Sequence, residues 1–298
     1  MSLAARRPAV GRPVAALVAG LCLACGAGAQ APTRVSPPRE APAPATAADS
    51  VDPSIPAAAA AAVADAMTLG MRLYAQDRAS AAATDAALAG GMPPTAQGWI
   101  TRLAADGWRV DFYGTVEGQA ASLVTVPVDD VGVAGAPVRH GAGEPLDDDG
   151  RAMVAARAAA IAAFTPICGG RYNVDVVPGA LVGAPGWLVY FSPGTTDPDA
   201  AVLAGYVRIA VAVGADGPVV TEVKPLSNTC VIMGKPAAPP ASAELVALAV
   251  SHFVTPTATE AHVFASLRYR QPVMVVVDGG VFVVDEGRVS WEALARAP

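Results

Sequence analysis

The chain has 298 residues, with 20 basic against 26 acidic side chains and a formal net charge of −6. An acidic surface repels nucleic acid and anionic lipid headgroups, and no basic stripe in the sequence reverses this locally. Nucleic acid is therefore not an expected partner. The length is sufficient to bury the core of one large domain or of two small ones.

The first 29 residues have the pattern of an export signal. Arginines come first, then a short apolar run from Val14 to Cys25, then small residues before Gln30. The run is too short to cross a bilayer as a helix, which needs about 20 residues. We predict a signal peptide over 1–29 and a periplasmic or secreted domain. Its net charge is −9, because the signal removes three arginines and no acids.

A lipid anchor is the alternative fate of this segment. The pair Ala24-Cys25 suits a lipoprotein signal, although Cys22 stands where leucine is preferred. The chain is then either released at Gln30 or anchored in the membrane through a diacylated Cys25. Membrane contact is expected only through such an anchor.

A flexible tether is predicted between the signal and the domain. Residues 30–56 are rich in proline, alanine and small polar residues and contain no aromatic side chain, so they cannot bury enough surface to order themselves. Aromatic residues run from Tyr74 to Trp291, which places the packed domain within 57–298.

The cysteines indicate one disulfide. Cys22 and Cys25 belong to the predicted signal, so Cys168 and Cys230 remain in the exported chain. Two thiols in an oxidising compartment are expected to pair. A redox or metal site is the functional alternative, but no CxxC motif or Cys/His cluster accompanies these two residues.

Helices and a hairpin are predicted in the first half of the chain. An alanine-rich helix over Ala57–Leu88 is followed by a short helical turn over Trp99–Ala105. Strands Trp108–Gly114 and Ala121–Val128 form a hairpin. A second helix, Arg151–Phe164, follows three consecutive aspartates, which are expected to cap its N-terminus.

Strands dominate the second half, where runs rich in valine and aromatic residues recur. They are Tyr172–Val177, Trp187–Phe191, Tyr206–Val213, Val219–Val223, the residues after Leu248, Thr259–Leu267, Pro272–Val277 and Val281–Val284. Helices are too few to cross over between successive strands. We therefore predict an α+β fold of mainly antiparallel sheets with two or three helices packed on one face. Two Gly-Trp strand starts, at 107–108 and 186–187, suggest two similar halves divided near residue 145.

One segment contains a candidate catalytic or metal site. With Thr259–Leu267 as a strand, Glu260 and His262 share a face, and a turn after His252 brings its imidazole beside them. Two imidazoles and a carboxylate can hold a metal ion or act as an acid–base set. We favour the alternative that these three side chains are hydrogen-bonded packing residues without a catalytic or metal-binding role. No cofactor is expected in that case.

The chain after Ala57 contains four short segments, which are DRASAAATDAAL (Asp77–Leu88), WRVDFYG (Trp108–Gly114), RYNVDVVP (Arg171–Pro178) and TPTATEAHVFASL (Thr255–Leu267). Together they resemble a group of exported proteobacterial proteins of unknown function. The resemblance covers most of the chain after Ala57. It implies no activity and assigns no catalytic residue, but it implies that Cys168 and Cys230 belong to one domain.

These observations favour an exported, non-catalytic binding or envelope-associated module, with an envelope protein or a small ligand as its partner. The familiar signatures of hydrolases, phosphate-binding loops and dinucleotide-binding folds are absent from the sequence. Two alternatives stay open. One is a metal-dependent or acid–base hydrolase centred on His252, Glu260 and His262, and the other is a lipid-anchored accessory of an envelope complex.

Overall fold

The computed structural model describes residues 51–197, 200–234 and 247–294. The predicted signal peptide, Cys25, most of the tether and the proline-rich connection 235–242 lie outside the described residues. These residues contain three α-helices and 14 strands, and the strands form four mostly antiparallel sheets. The predicted α+β class with antiparallel sheets is confirmed.

The first sheet follows helix α1 (Ala57–Ala89), as predicted, and its four strands pair antiparallel in chain order. They are β1 (Gly98–Ala104), β2 (Gly107–Val116), β3 (Gln119–Val128) and β4 (Val138–Pro145). The helical turn predicted over Trp99–Ala105 is wrong, because these residues form β1. A tight turn at Ala105-Asp106 folds the chain back, and β1 pairs with β2 residue by residue.

The central sheet follows helix α2 (Asp148–Ala163). Asp147 caps this helix as predicted, since its carboxylate accepts the Gly150 amide. The strands of this part of the chain are β5 (Tyr172–Pro178), β6 (Trp187–Pro193), β7 (Ala201–Ala204), β8 (Val207–Gly214) and β9 (Gly217–Pro225). The sheet order is β5-β6-β8-β9, and β7 lies outside it. A short 3-10 helix, Gly179–Val182, connects β5 to β6.

The remaining elements form a two-stranded ribbon and a third sheet. They are β10 (Val231–Met233), β11 (Leu248–Ser251), helix α3 (Glu260–Tyr269), β12 (Val273–Val277), β13 (Gly280–Asp285) and β14 (Arg288–Ala293). β10 pairs with β7, while β11 to β14 form the third sheet. Its first pair, β11 with β12, is parallel because α3 crosses between them.

The strand predicted over Thr259–Leu267 is wrong, because this segment forms α3. Polar residues at 260, 262 and 266 alternate with apolar ones and imitate a half-buried strand. In the fold all seven residues from 260 to 266 are buried, so the helix has no apolar stripe of helical period to reveal it. Thr259 begins the helix with a capping box.

Helix α1 connects the three sheets. Its first turns pack with the third sheet through Val63 and Met67, and its middle packs on the central sheet through Leu69 and Leu73. Three alanines near its C-terminal end, Ala79, Ala83 and Ala87, pack on the first sheet. Each sheet therefore buries apolar surface against a different part of one helix.

The central sheet has helices on both faces rather than on one. Val189 and Ile209 face α2, whereas Leu188 and Tyr190 face α1 and α3. Because side chains alternate along a strand, a strand that is apolar on both sides needs cover on both sides.

A disulfide and the packing of residues 51–56 add contacts between distant parts of the chain. Cys168 and Cys230 form the predicted disulfide, which links the loop before β5 to the start of β10. Residues 51–56, predicted as the end of the tether, pack on the domain because Ile55 is buried and Ser54 accepts the Trp291 amide. No helix among the described residues is long and apolar enough to span a membrane.

Candidate functional site

The two histidines of the predicted trio, which is His252, Glu260 and His262, lie next to each other. His252 follows β11, and His262 is the third residue of α3. Their ring centroids are 4.9 Å apart, and the ring planes are nearly perpendicular at 87°. The fold thus brings the two imidazoles into contact, but from a loop and a helix rather than from a hairpin.

His262 is held by the helix cap. Its Nδ1 accepts the backbone N–H of Thr259 at 3.0 Å, so the proton of the neutral ring is on Nε2. Burial and, to a smaller extent, the neighbouring His252 lower the pKa of His262 to about 3. The ring is therefore neutral at physiological pH, and neither nitrogen offers a free lone pair to a metal in this arrangement.

Glu260 points away from the histidines. Its Oε1 accepts the hydroxyl of Tyr190 at 3.1 Å and the guanidinium of Arg208 at 2.9 Å. Residues two apart on a helix project from different sides, so Glu260 and His262 cannot share a face of α3. Among the described residues, no group of three His, Cys, Asp or Glu side chains could hold a metal ion.

His252 lies at the edge of a shallow cavity. The cavity has a volume of about 260 Å³ and is lined mainly by the loop after β11 and by the end of β12. Burial lowers the pKa of His252, and its Nε2 lies 2.8 Å from the hydroxyl of Thr255. Phe253 beside it is 85% exposed. Within the described residues, neither Glu260 nor His262 lines this cavity.

A row of polar side chains crosses the central sheet beneath α1 and α3. Asp175, Tyr190 and Arg208 are cross-strand neighbours on β5, β6 and β8. Arg208 lies in an apolar strand, and Glu260 on α3 is its acidic partner. Burial and, to a smaller extent, the charge of Asp77 raise the pKa of Asp175 to about 7.

A second polar network covers the face of the first sheet that is turned away from α1. Asp111 is completely buried and accepts hydrogen bonds from Arg102, Arg109, Ser122 and Thr125. Burial opposes its negative charge, but the hydrogen bonds from Arg109, Thr125 and Arg102 outweigh burial and lower the pKa of Asp111. The carboxylate therefore fixes the direction of two arginine side chains.

These arginines border a cleft between the first and central sheets, which we call the arginine cleft. Its volume is about 480 Å³. It lies among α1, β1, β2, the start of α2 and the ends of β5 and β6 that face them. Its lining residues are Arg72, Thr101, Arg102, Leu103, Ala104, Arg109, Asp147, Asp149, Met153, Pro178 and Trp187. Its size is within the range of ligand pockets, about 300–1,000 Å³.

Arg72 has no acidic partner in the arginine cleft. Its guanidinium carbon lies 4.3 Å from the ring centroid of Trp108, and its buried Nε has no hydrogen-bond acceptor among the described residues. Burial lowers the pKa of Arg72 to about 10, so the side chain is still charged at neutral pH. By contrast, Arg102 is paired with Asp111 and Asp147.

Sequence reasoning did not identify Arg72, although one signal was present. The residues three and four positions away on α1 are Thr68, Leu69, Ala75 and Gln76, so no acidic side chain can pair with it along the helix. An arginine of this kind in an alanine-rich helix either reaches solvent or faces another element. The sequence does not reveal which element that is.

No protein-family model, no curated protein and no solved structure matches the chain. The resemblance to exported proteobacterial proteins therefore stays a prediction.

Proposed function

We propose that the chain is an exported, non-catalytic binding module of the bacterial envelope and that the arginine cleft is its ligand site. The observation that carries this proposal is Arg72, a charged guanidinium on the wall of an open cleft, whose buried Nε has no hydrogen-bond acceptor among the described residues. Arg72 is partly buried, so its charge has lost part of its hydration, and a ligand that supplies an anionic partner would compensate this loss.

The hydrogen bonds of the predicted trio support a non-catalytic function. His262 caps α3, and Glu260 is the partner of Arg208 on the central sheet. Both groups stabilise the fold in the positions they occupy. A general base needs a free lone pair within reach of its substrate, and His262 as folded has none.

The Cys168–Cys230 disulfide supports export, since such bonds persist in oxidising compartments. The periplasm is the compartment that we propose, with release at Gln30. A diacylated Cys25 would instead make the same domain a lipid-anchored accessory of an envelope complex.

The binding function is tested by thermal unfolding of the mature chain in the presence of a panel of small organic ions and neutral solutes. We expect at least one compound to raise the melting temperature, because a ligand that binds only the folded state stabilises it. NMR spectra of that compound after prolonged incubation with the protein should be unchanged. Conversion of the compound into a product would contradict a non-catalytic function and support the hydrolase alternative.

A further inference from the structure

Among the arginines that line the arginine cleft, Arg72 is the one without an ion-pair partner among the described residues. Arg109 is bonded to Asp111 and Glu144, and Arg102 is bonded to Asp111 and Asp147. These arginines carry little net attraction for a ligand, because their carboxylates are already in place. The guanidinium of Arg72 is the cation of the cleft that lacks such a partner among the described residues. A guanidinium matches a carboxylate through two parallel hydrogen bonds.

The remaining lining of the cleft restricts the charge and the shape of a ligand. Asp149, at the start of α2, adds negative charge to the wall and disfavours a dianion such as phosphate. Leu103, Met153 and Trp187 supply apolar surface. Apolar surface together with a few placed polar groups is typical of sites for small organic molecules. A monoanion with an apolar body fits both features.

We propose that the arginine cleft binds a small organic carboxylate, with its carboxylate on Arg72 and its apolar body against Met153 and Trp187. This inference rests on the proposed binding function and names the chemical class of its ligand. Trp108 lies behind the guanidinium and holds it by a cation–π contact, so the arginine is oriented before the ligand arrives. Such preorganisation reduces the entropy lost on binding.

Hexanoate, hexanol and inorganic phosphate are the probes that test the inference. They are titrated into the 15N-labelled mature chain while the indole N–H signals of its tryptophans are followed by NMR. We expect hexanoate to shift the signals of Trp187 and Trp108. The signal of Trp291, on β14 of the third sheet, should stay in place. Hexanol and phosphate should bind at least about tenfold more weakly than hexanoate. Hexanol lacks the carboxylate, and phosphate lacks the apolar body.

The variant Arg72→Met removes the charge but keeps most of the apolar stem. We expect it to weaken hexanoate binding about tenfold or more, because a charge-assisted hydrogen bond is lost. Its melting temperature should equal or exceed that of the wild type, because a partly buried charge without an ion-pair partner has been removed. This shows that the lost binding is not the result of unfolding. Arg78→Met is the matched control, because Arg78 also lies over an aromatic ring on α1, that of Tyr74, and does not line the cleft.

Three results would overturn the inference: no shift at millimolar hexanoate, equal binding by Arg72→Met and the wild type, or equal binding of hexanol or phosphate. Failure of the inference is distinguishable from failure of the proposed function. A different compound that stabilises the wild type and Arg72→Met equally and is recovered unchanged leaves the binding function intact. A carboxylate that binds through Arg72 and is then converted supports the cleft and contradicts the non-catalytic function.

Discussion

At the scale of single residues, the buried carboxyl of Asp175 links the stability of the fold to pH. The folded state raises its pKa from 3.8 to about 7 through burial and the charge of Asp77, while Gln76, Arg157 and Arg268 act in the opposite direction. Between these pH values the unfolded chain has lost the proton and the folded chain keeps it. Stability from this group is therefore present at low pH and lost as pH rises from about 4 to about 7, by about 4 kcal/mol in total.

We expect Asp175→Asn to remove this pH dependence. The variant should match the wild type near pH 4 and exceed it at pH 8, because asparagine carries no charge to bury. Urea unfolding at several pH values measures the difference. Asp216→Asn, in the exposed turn between β8 and β9, is the control and should leave the profile unchanged. Parallel profiles of Asp175→Asn and the wild type from pH 5 to 8 would contradict the assignment.

The Arg208–Glu260 pair gives a second prediction at this scale. Glu260→Gln should destabilise the protein by about 3 kcal/mol, because it leaves the partly buried Arg208 without its main acidic partner. The double variant Arg208→Met, Glu260→Gln should recover most of this loss. Glu222→Gln removes the half-exposed partner of the same arginine and should cost less than about 1 kcal/mol. Equal losses for Glu222→Gln and Glu260→Gln would show that burial does not decide the energy of this pair.

At the scale of elements, glycines at two strand starts have the same geometric role. Gly107 is the first residue of β2 and Gly186 immediately precedes β6, and these are the second strands of the first and central sheets. Both have positive φ, and a Cβ at either would lie 2.4 Å from a carbonyl oxygen, that of Val128 or Val211. The Gly-Trp recurrence in the sequence thus corresponds to a shared structural position. The division of the domain into two similar halves stays a prediction.

The variants Gly186→Ala and Gly183→Ala distinguish two costs of adding a Cβ. One is the clash with a neighbouring strand, and the other is the left-handed backbone conformation. Gly183 has nearly the same φ, +67° against +69°, but nothing lies within 4 Å of its Cβ position. We expect Gly183→Ala to cost about 1–2 kcal/mol, from the left-handed backbone alone. Gly186→Ala should cost about 1–3 kcal/mol more, because the neighbouring strand must also move. Equal denaturant midpoints for the two variants would contradict this account.

Local patterns predicted most elements but not those whose burial is set by distant parts of the chain. The alanine-rich α1, the capped α2 and the valine-rich strands of the central sheet have strong local signals, and all three predictions are confirmed. β7 and β10 were missed because they are only four and three residues long. α3 was mistaken for a strand because its polar residues are buried and paired with the central sheet, which no local pattern records.

The same limit applied to the candidate site. The sequence placed His252 and His262 near each other, and their rings are in contact. It also placed Glu260 with them, which depended on strand alternation and is wrong for a helix. The arginine cleft is formed by α1, two sheets and α2 together, so its members are too far apart in the sequence to be recognised as a set.

At the scale of the whole molecule, the disulfide joins parts that are 62 residues apart in the chain. In the chain-entropy model, a cross-link of this span stabilises the fold by about 4 kcal/mol. The double variant Cys168→Ser, Cys230→Ser should lower the free energy of unfolding by about this amount. A reducing agent should have the same effect on the wild type and none on the variant. Unchanged stability of the variant would mean that the cross-link does not constrain the unfolded chain.

Export of a folded, oxidised domain is the central claim, and the intact mass of the protein from a periplasmic fraction tests it most directly. We predict the mass of a chain that begins at Gln30 and lacks the two hydrogen atoms lost on disulfide formation. A diacylated chain beginning at Cys25 would replace release with anchoring but keep the compartment. A full-length chain with both thiols reduced, recovered from the cytoplasm, would contradict the claim.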